Sequence, residues 1–197
     1  MQEQAKISLS AFELQLVSDA GIILTKNNII QKVYELFGKV SDAYQKQLLN
    51  ARLPKEAMAL SPKISKGENY KGLPYVMLDY PRCFGKEDVF AVRSFFWWGN
   101  YFSSVLQLKG MYKAAYELKI MNAISNGQLN GYYINNSNEE WNHDIHTADA
   151  ELVTAPSILS PSHQVIKITS VHELAKWDTA FDFFQNQLQL YLQILND

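Results

Sequence analysis

Apolar residues recur at helical spacing toward both ends of the chain and crowd into short β-rich runs in the middle. That pattern predicts helices flanking a sheet. Ser10 and Glu13 have capping-box spacing, so a helix begins at Ala11, and Gly21 marks a break after it. Ile29, Ile30, Val33, Leu36, Phe37, Val40, Tyr44 and Leu48 then predict a second helix over 26–50. Residues 52–74 read as a long connection broken by Pro54, Pro62, Gly67, Gly72 and Pro74, with one short helical turn over 55–60.

Three strands are predicted next, over 75–80, 89–98 and 101–108, each rich in aromatic and β-branched residues. Gly99-Asn100 reads as a two-residue hairpin loop. The links are too short for a parallel crossover, so the strands form an antiparallel meander. A helix follows over 111–125 and stops at Asn126-Gly127. Shorter strands are predicted at 131–135 and 165–169. Between them, Ser137 with Glu140, then Trp141, Ile145, Ala148 and Leu152, predict a short amphipathic helix in a loop-rich region.

The last helix, over 171–195, is predicted to start at a Ser170/Glu173 capping box. Leu174, Trp177, Phe181, Phe184, Leu188, Tyr191 and Leu195 recur at gaps of three and four, an a/d seam. Large aromatics at these positions suit burial against the same chain. A dimer seam is the alternative. The expected fold is α+β: an antiparallel meander of three to five strands packed by N-terminal helices, a middle helix and the C-terminal helix. The 197 residues are expected to form one domain.

Composition narrows the function classes. Net charge is −2, with 47 % apolar and 19 % charged residues, so no basic field attracts nucleic acid or an anionic membrane. No apolar run is long enough to span a bilayer, and the polar start lacks a secretory h-region. A cytoplasmic location is expected, with Asn135-Asn136-Ser137 a chance sequon. The single cysteine, Cys83, excludes an internal disulfide and a CxxC motif. Charge is unevenly placed. The 52–74 connection is basic, whereas 120–166 has no lysine or arginine and carries Glu139, Glu140, Asp144, Asp149 and Glu151.

Eleven of the 25 aromatic residues fall within 70–102, with two of the three arginines. Strand periodicity puts Arg93, Phe95 and Trp97 on one face of the second strand. A charge at such a central position must be paired or face a pocket. A hairpin register in which opposed residues sum to 172 sets Asp79 against Arg93, on the face of Tyr75 and Met77. The candidate ligand-binding residues are therefore Arg93, Asp79, Arg82, Tyr75 and Trp97, suited to a small anionic or aromatic ligand. His143, His146 and Asp149 have the spacing of a weak metal site if that segment is helical. No metal or other cofactor is expected. No GxSxG elbow or Walker motif is present.

The run Lys66-Gly67-Glu68-Asn69-Tyr70, then Tyr75 to Arg82, then Phe95-Phe96-Trp97-Trp98-Gly99-Asn100, resembles conserved bacterial proteins that have no assigned activity. The resemblance covers roughly the central fifth of the chain. It implies a bacterial cytoplasmic protein and transfers no activity, cofactor or site residue. Three functions stay open. The leading one is a non-catalytic domain that binds a small ligand or a protein partner through the aromatic meander and Arg93. The second is an enzyme using Asp79, Glu68, Arg93 and a histidine. The third is an assembly role through the C-terminal seam, as monomer or homodimer.

Overall fold

The computed structural model describes residues 7–135, 139–154, 159 and 164–196. The capping box at Ser10 and Glu13 forms and starts helix α1, Ala11–Ser18. The break after it falls at Asp19, not Gly21. The Asp19 carboxylate accepts from the Gly21 N–H at 2.8 Å and caps helix α2, Ala20–Leu48. After the short α3, Lys55–Ala59, come strands β1 (Lys63–Tyr70), β2 (Leu73–Phe84), β3 (Val89–Trp97) and β4 (Tyr101–Lys109). Helix α4 spans Met111–Ser125, as its periodicity predicts. Strands β5 (Tyr133–Asn135), β6 (Ala150–Leu152) and β7 (Val165–Glu173) precede a 3₁₀ turn, Leu174–Thr179, and helix α5, Ala180–Asn196.

The fold is α+β, but among the described residues its antiparallel sheet has seven strands rather than three to five, in the order β1-β2-β3-β4-β7-β5-β6. The largest omission is β1, which the 52–74 connection conceals. It is an edge strand with lysines at 63 and 66 and an irregularity between Gly67 and Tyr70. Charge and bulges keep edges from pairing with other chains, and they also erase the alternating pattern that marks a strand. The β3–β4 loop has three residues, 98–100. Gly99 takes φ 72° there, and the Asn100 N–H closes the turn on the Trp97 carbonyl at 3.1 Å.

One face of the sheet carries the main core. Val76, Leu78, Phe90, Val92, Phe96, Phe102, Leu106 and Ile168 pack under α2, α4 and α5. Two buried tyrosines bring hydroxyls into this layer. Tyr44 donates to the Phe184 carbonyl at 3.0 Å, and Tyr191 donates to the Ser104 carbonyl at 2.9 Å. Gly110 leads into α4 at φ 60°, where a Cβ would lie 2.1 Å from the Asp88 carboxylate that accepts the Met111 N–H.

The predicted C-terminal helix is shorter at its start. Residues 170–173 extend β7 along the whole of β4, with Tyr101 opposite Glu173, so Ser170 and Glu173 pair in the sheet instead of capping a helix. The seam itself turns inward. Phe184, Leu188, Tyr191 and Leu195 are buried in the main core, and Leu174, Trp177 and Phe181 pack against it half-buried.

The segment after β5 differs most from expectation. Glu139 to Asp149 forms turns, not a helix. Ser137, the expected cap, lies outside the described residues. The segment crosses the second face of the sheet as a strap.

Candidate functional site

On that second face the register brings together what the sequence separates. Asp79 pairs directly with Arg93, and Tyr75 with Trp97, as the 172 sum requires. Between Asp79 and Arg82 the register shifts by one residue, at the cis Tyr80–Pro81 bond, and Arg82 then pairs with Ala91. A bulge of this kind re-aims side chains. Without it Arg82 would oppose Phe90 and face the helices. With it, Arg82 and Phe84 share the face of Arg93.

Arg93 is 1 % exposed and Asp79 5 %. Arg93 Nε donates to Asp79 Oδ1 at 2.6 Å and Nη2 to Oδ2 at 3.3 Å, a two-point pair. Nη1 lies 2.9 Å from His143 Nε2. The guanidinium carbon sits 5.1 Å from the Trp141 ring centre and 5.3 Å from that of Phe84, within cation–π range. Trp141 and His143 come from the strap, Phe84 from the end of β2.

The strap is held by side chains from several strands. Tyr101 donates to the His143 carbonyl at 3.0 Å and accepts from the Ile145 N–H at 3.1 Å. Tyr70 accepts from the His143 N–H at 2.7 Å. Lys167, 1 % exposed on β7, donates to the carbonyls of Glu139 and Glu140 at 3.3 Å each and to that of Asn142. Two ion pairs finish the attachment: Lys71 with Asp144 at 2.7 Å and Lys109 with Glu140 at 2.6 Å. The uneven charge along the chain thus has a structural outcome. The acidic stretch lies across lysines presented by the sheet.

Burial and neighbouring cations perturb several of these groups. The His143 imidazole is held well below its usual range, first by burial, then by Arg93 and Lys167. Lys167 is pushed down to about 8 by burial and by Arg93, against the pull of Glu139 and Glu140. Burial of Asp144 works upward, but the Lys71 ammonium and the His146 N–H outweigh it and hold the carboxyl below its usual range.

Beside the strap, a cleft of about 420 Å³ opens to solvent. Met77, Tyr75 and the Asp79–Arg93 pair line it inside, Phe84 and Trp141 wall it, and Lys63, Ser65 and Arg82 complete its lining. Arg82 donates from Nε to the Ser61 carbonyl at 3.1 Å. Its Nη groups make no protein hydrogen bond among the described residues. A depression of about 490 Å³ between α2 and the 3₁₀ turn is larger, but its charged residues, Lys32, Glu35, Lys39 and Asp178, are all exposed. Its charges are therefore already solvated by water.

Four of the five expected ligand residues line this one cleft: Arg93, Asp79, Arg82 and Tyr75. Trp97 does not. It lies 4 % exposed beneath Tyr70, with ring centres 5.2 Å apart. Glu68 is on the other side of the sheet, paired with Lys26 of α2 at 2.7 Å, so it cannot act with Asp79. The expected metal spacing is lost with the helix. His143 is engaged by Arg93, while His146 and Asp149 are exposed. Among the described residues no three His, Cys, Asp or Glu side chains cluster to hold a metal ion. Among them, too, no helix is long and apolar enough to cross a membrane. Lys167, Trp141 and Phe84 escape the sequence reading. Lys167 carried a usable signal, a lysine between Ile166 and Ile168 in a strand, which is the same signal that marks Arg93. No family model, curated protein or solved structure matches the chain.

Proposed function

We propose that the protein binds a small anionic molecule with a planar apolar body in the cleft beside the strap. One observation carries this reading: a desolvated guanidinium, Arg93, lines a solvent-open cleft while lying under the rings of Trp141 and Phe84. Arg93 has five N–H hydrogens, and Asp79 and His143 engage three of them. Arg82 and Lys63 add donors and positive charge. The rings, Tyr75 and Met77 offer an apolar slot. Mostly apolar linings with a few convergent polar groups are typical of small-molecule sites. Carboxylate and phosphate share the chemistry that a forked guanidinium recognises.

A catalytic role has less support. Both Asp79 oxygens already accept from Arg93, and Glu68 faces away. A general base must reach its proton at hydrogen-bond distance, and these groups have other partners.

The test is a fluorescence titration with benzoate, phenyl phosphate and neutral benzyl alcohol. Trp141 is 58 % exposed and should report occupancy. The two anions should quench it, and benzyl alcohol should not. Arg82→Ala should weaken anion binding by about 1.5–3 kcal/mol, the worth of a charge-assisted hydrogen bond. Equal binding of the neutral alcohol, or no binding of either anion, refutes the reading.

A further inference from the structure

Every residue from Ile7 to Thr25 is exposed. Nine of these are large and apolar: Ile7, Leu9, Phe12, Leu14, Leu16, Val17, Ile22, Ile23 and Leu24, at 39–96 % exposure. Helix α1 buries none of its residues. Yet the segment is built as helix, with a capping box at Ser10 and a carboxylate cap at Asp19. An eight-residue helix with no packing is not stable alone in water. The sequence therefore prepares a helical arm whose cover is not its own sheet.

We infer that this arm, α1 with the first turns of α2, is a self-association surface whose occupant is a second copy of the chain. Area supports that choice. The nine residues together expose on the order of 1,000 Å² of mostly apolar surface, close to what one partner contributes to a standard stable interface. Two such arms supply both sides of an isologous contact with no further partner.

Continuity supports it as well. Ile30, Phe37 and Tyr44 are buried at seven-residue intervals in α2. Ile23 continues that series by one heptad, past Lys26, whose ammonium is tied down by Glu68 at 2.7 Å. The stripe that packs on the sheet thus runs on into the arm, where it has no sheet to meet.

A bilayer surface fits the arm less well. Phe12, Leu14, Leu16 and Val17 point around α1 rather than to one side, so α1 lacks the single apolar face of a helix lying on a bilayer. The segment from Ile7 to Thr25 carries Glu13 and Asp19 and no lysine or arginine. Interfacial helices usually carry the basic face this one lacks.

The experiment is sedimentation velocity on the full chain across a concentration series, with Phe12→Glu and Ile23→Glu each made alone. The expected wild-type species at micromolar concentration has twice the chain mass of 22.6 kDa. Each variant should weaken self-association more than about tenfold, while near-ultraviolet circular dichroism stays that of the folded protein. Because both side chains are exposed, folding should survive. A wild-type monomer throughout the series overturns the inference, as does a dimer indifferent to both variants. So does a monomer that pellets with phosphatidylcholine–phosphatidylglycerol vesicles through Phe12, which would assign the arm to membranes instead.

Discussion

Arg93 Nη1 lies 2.9 Å from His143 Nε2, and both residues are buried. A guanidinium can only donate, so Nε2 must accept and the imidazole proton resides on Nδ1. That nitrogen has no hydrogen-bond partner among the described residues. His143 is therefore a neutral histidine wedged between cations, and protonating it would place a third positive charge beside Arg93 and Lys167.

The pH dependence follows from this. His143 is neutral in the folded chain well below its usual range, whereas in the unfolded chain it gains a proton near pH 6.5. Below that pH the unfolded state binds more protons, so the His143 contribution is fully present above about pH 6.5 and falls as the pH falls, while Lys167, pushed down to about 8, adds a slope of the same sign above about pH 7. Asp144 adds a loss at lower pH, since its carboxyl is held below its usual range and its contribution vanishes as it protonates. Urea unfolding between pH 8 and pH 5 should show the decline, and His143→Gln should flatten it. A slope unchanged by that substitution would contradict the assignment.

The Asp79–Arg93 pair should be costly to break and cheap to replace. Asp79→Ala leaves a buried guanidinium without its carboxylate, and the expected loss is about 3–5 kcal/mol. Asp79→Leu combined with Arg93→Met removes both charges and should lose clearly less than either change alone. Chemical denaturation of the four proteins in the cycle measures the coupling.

Position within the C-terminal seam should grade the effect of truncation. Phe184 is fully buried, against Phe37 at 5.4 Å and Phe102 at 5.9 Å between ring centres. Phe184→Ala should cost about 3–5 kcal/mol. Phe181 is only half-buried, so Phe181→Ala should cost less. Equal losses in thermal melts would mean that Phe181 is covered in solution by something other than its own chain.

Surface charges should matter little beside the strap's tyrosine anchor. Lys71→Ala removes one ion pair from a solvent-accessible rim, worth up to about 1 kcal/mol, and Lys109→Ala removes the pair with Glu140. Tyr101→Phe removes the hydroxyl that serves both the His143 carbonyl and the Ile145 N–H, and should cost about 1–3 kcal/mol. Amide exchange at Ile145 should accelerate strongly in the tyrosine variant and weakly in the lysine variants.

The opposition of Asp79 and Arg93 was legible because a short hairpin fixes register and a charge among apolar neighbours stands out. The core helices were legible from periodicity. What escaped did so for physical reasons. Strand β1 is guarded as an edge, which removes its alternation. The strap mimics a helix through Trp141, Ile145 and Ala148, yet its backbone groups meet Tyr70, Tyr101 and Lys167 from remote strands. The bulge after Asp79 changes parity within one strand, so no fixed sum of residue numbers could place Arg82. Glu68 looked like a partner for Asp79 until the sheet put them on opposite sides.

The strap's anchors come from β1, β3, β4 and β7: Tyr70, Arg93, Tyr101 and Lys167. All four are in place only when those strands are in register. The strap is the part of the chain that can lift away while the sheet stays intact, a local opening far cheaper than global unfolding. Among the segments docked on the sheet, a protease acting on the native protein should therefore cut the strap, between Glu139 and Asp149, before it cuts the strands. Because Trp141 lies within that segment, such a cut should abolish the proposed binding of aromatic anions before it abolishes the fold.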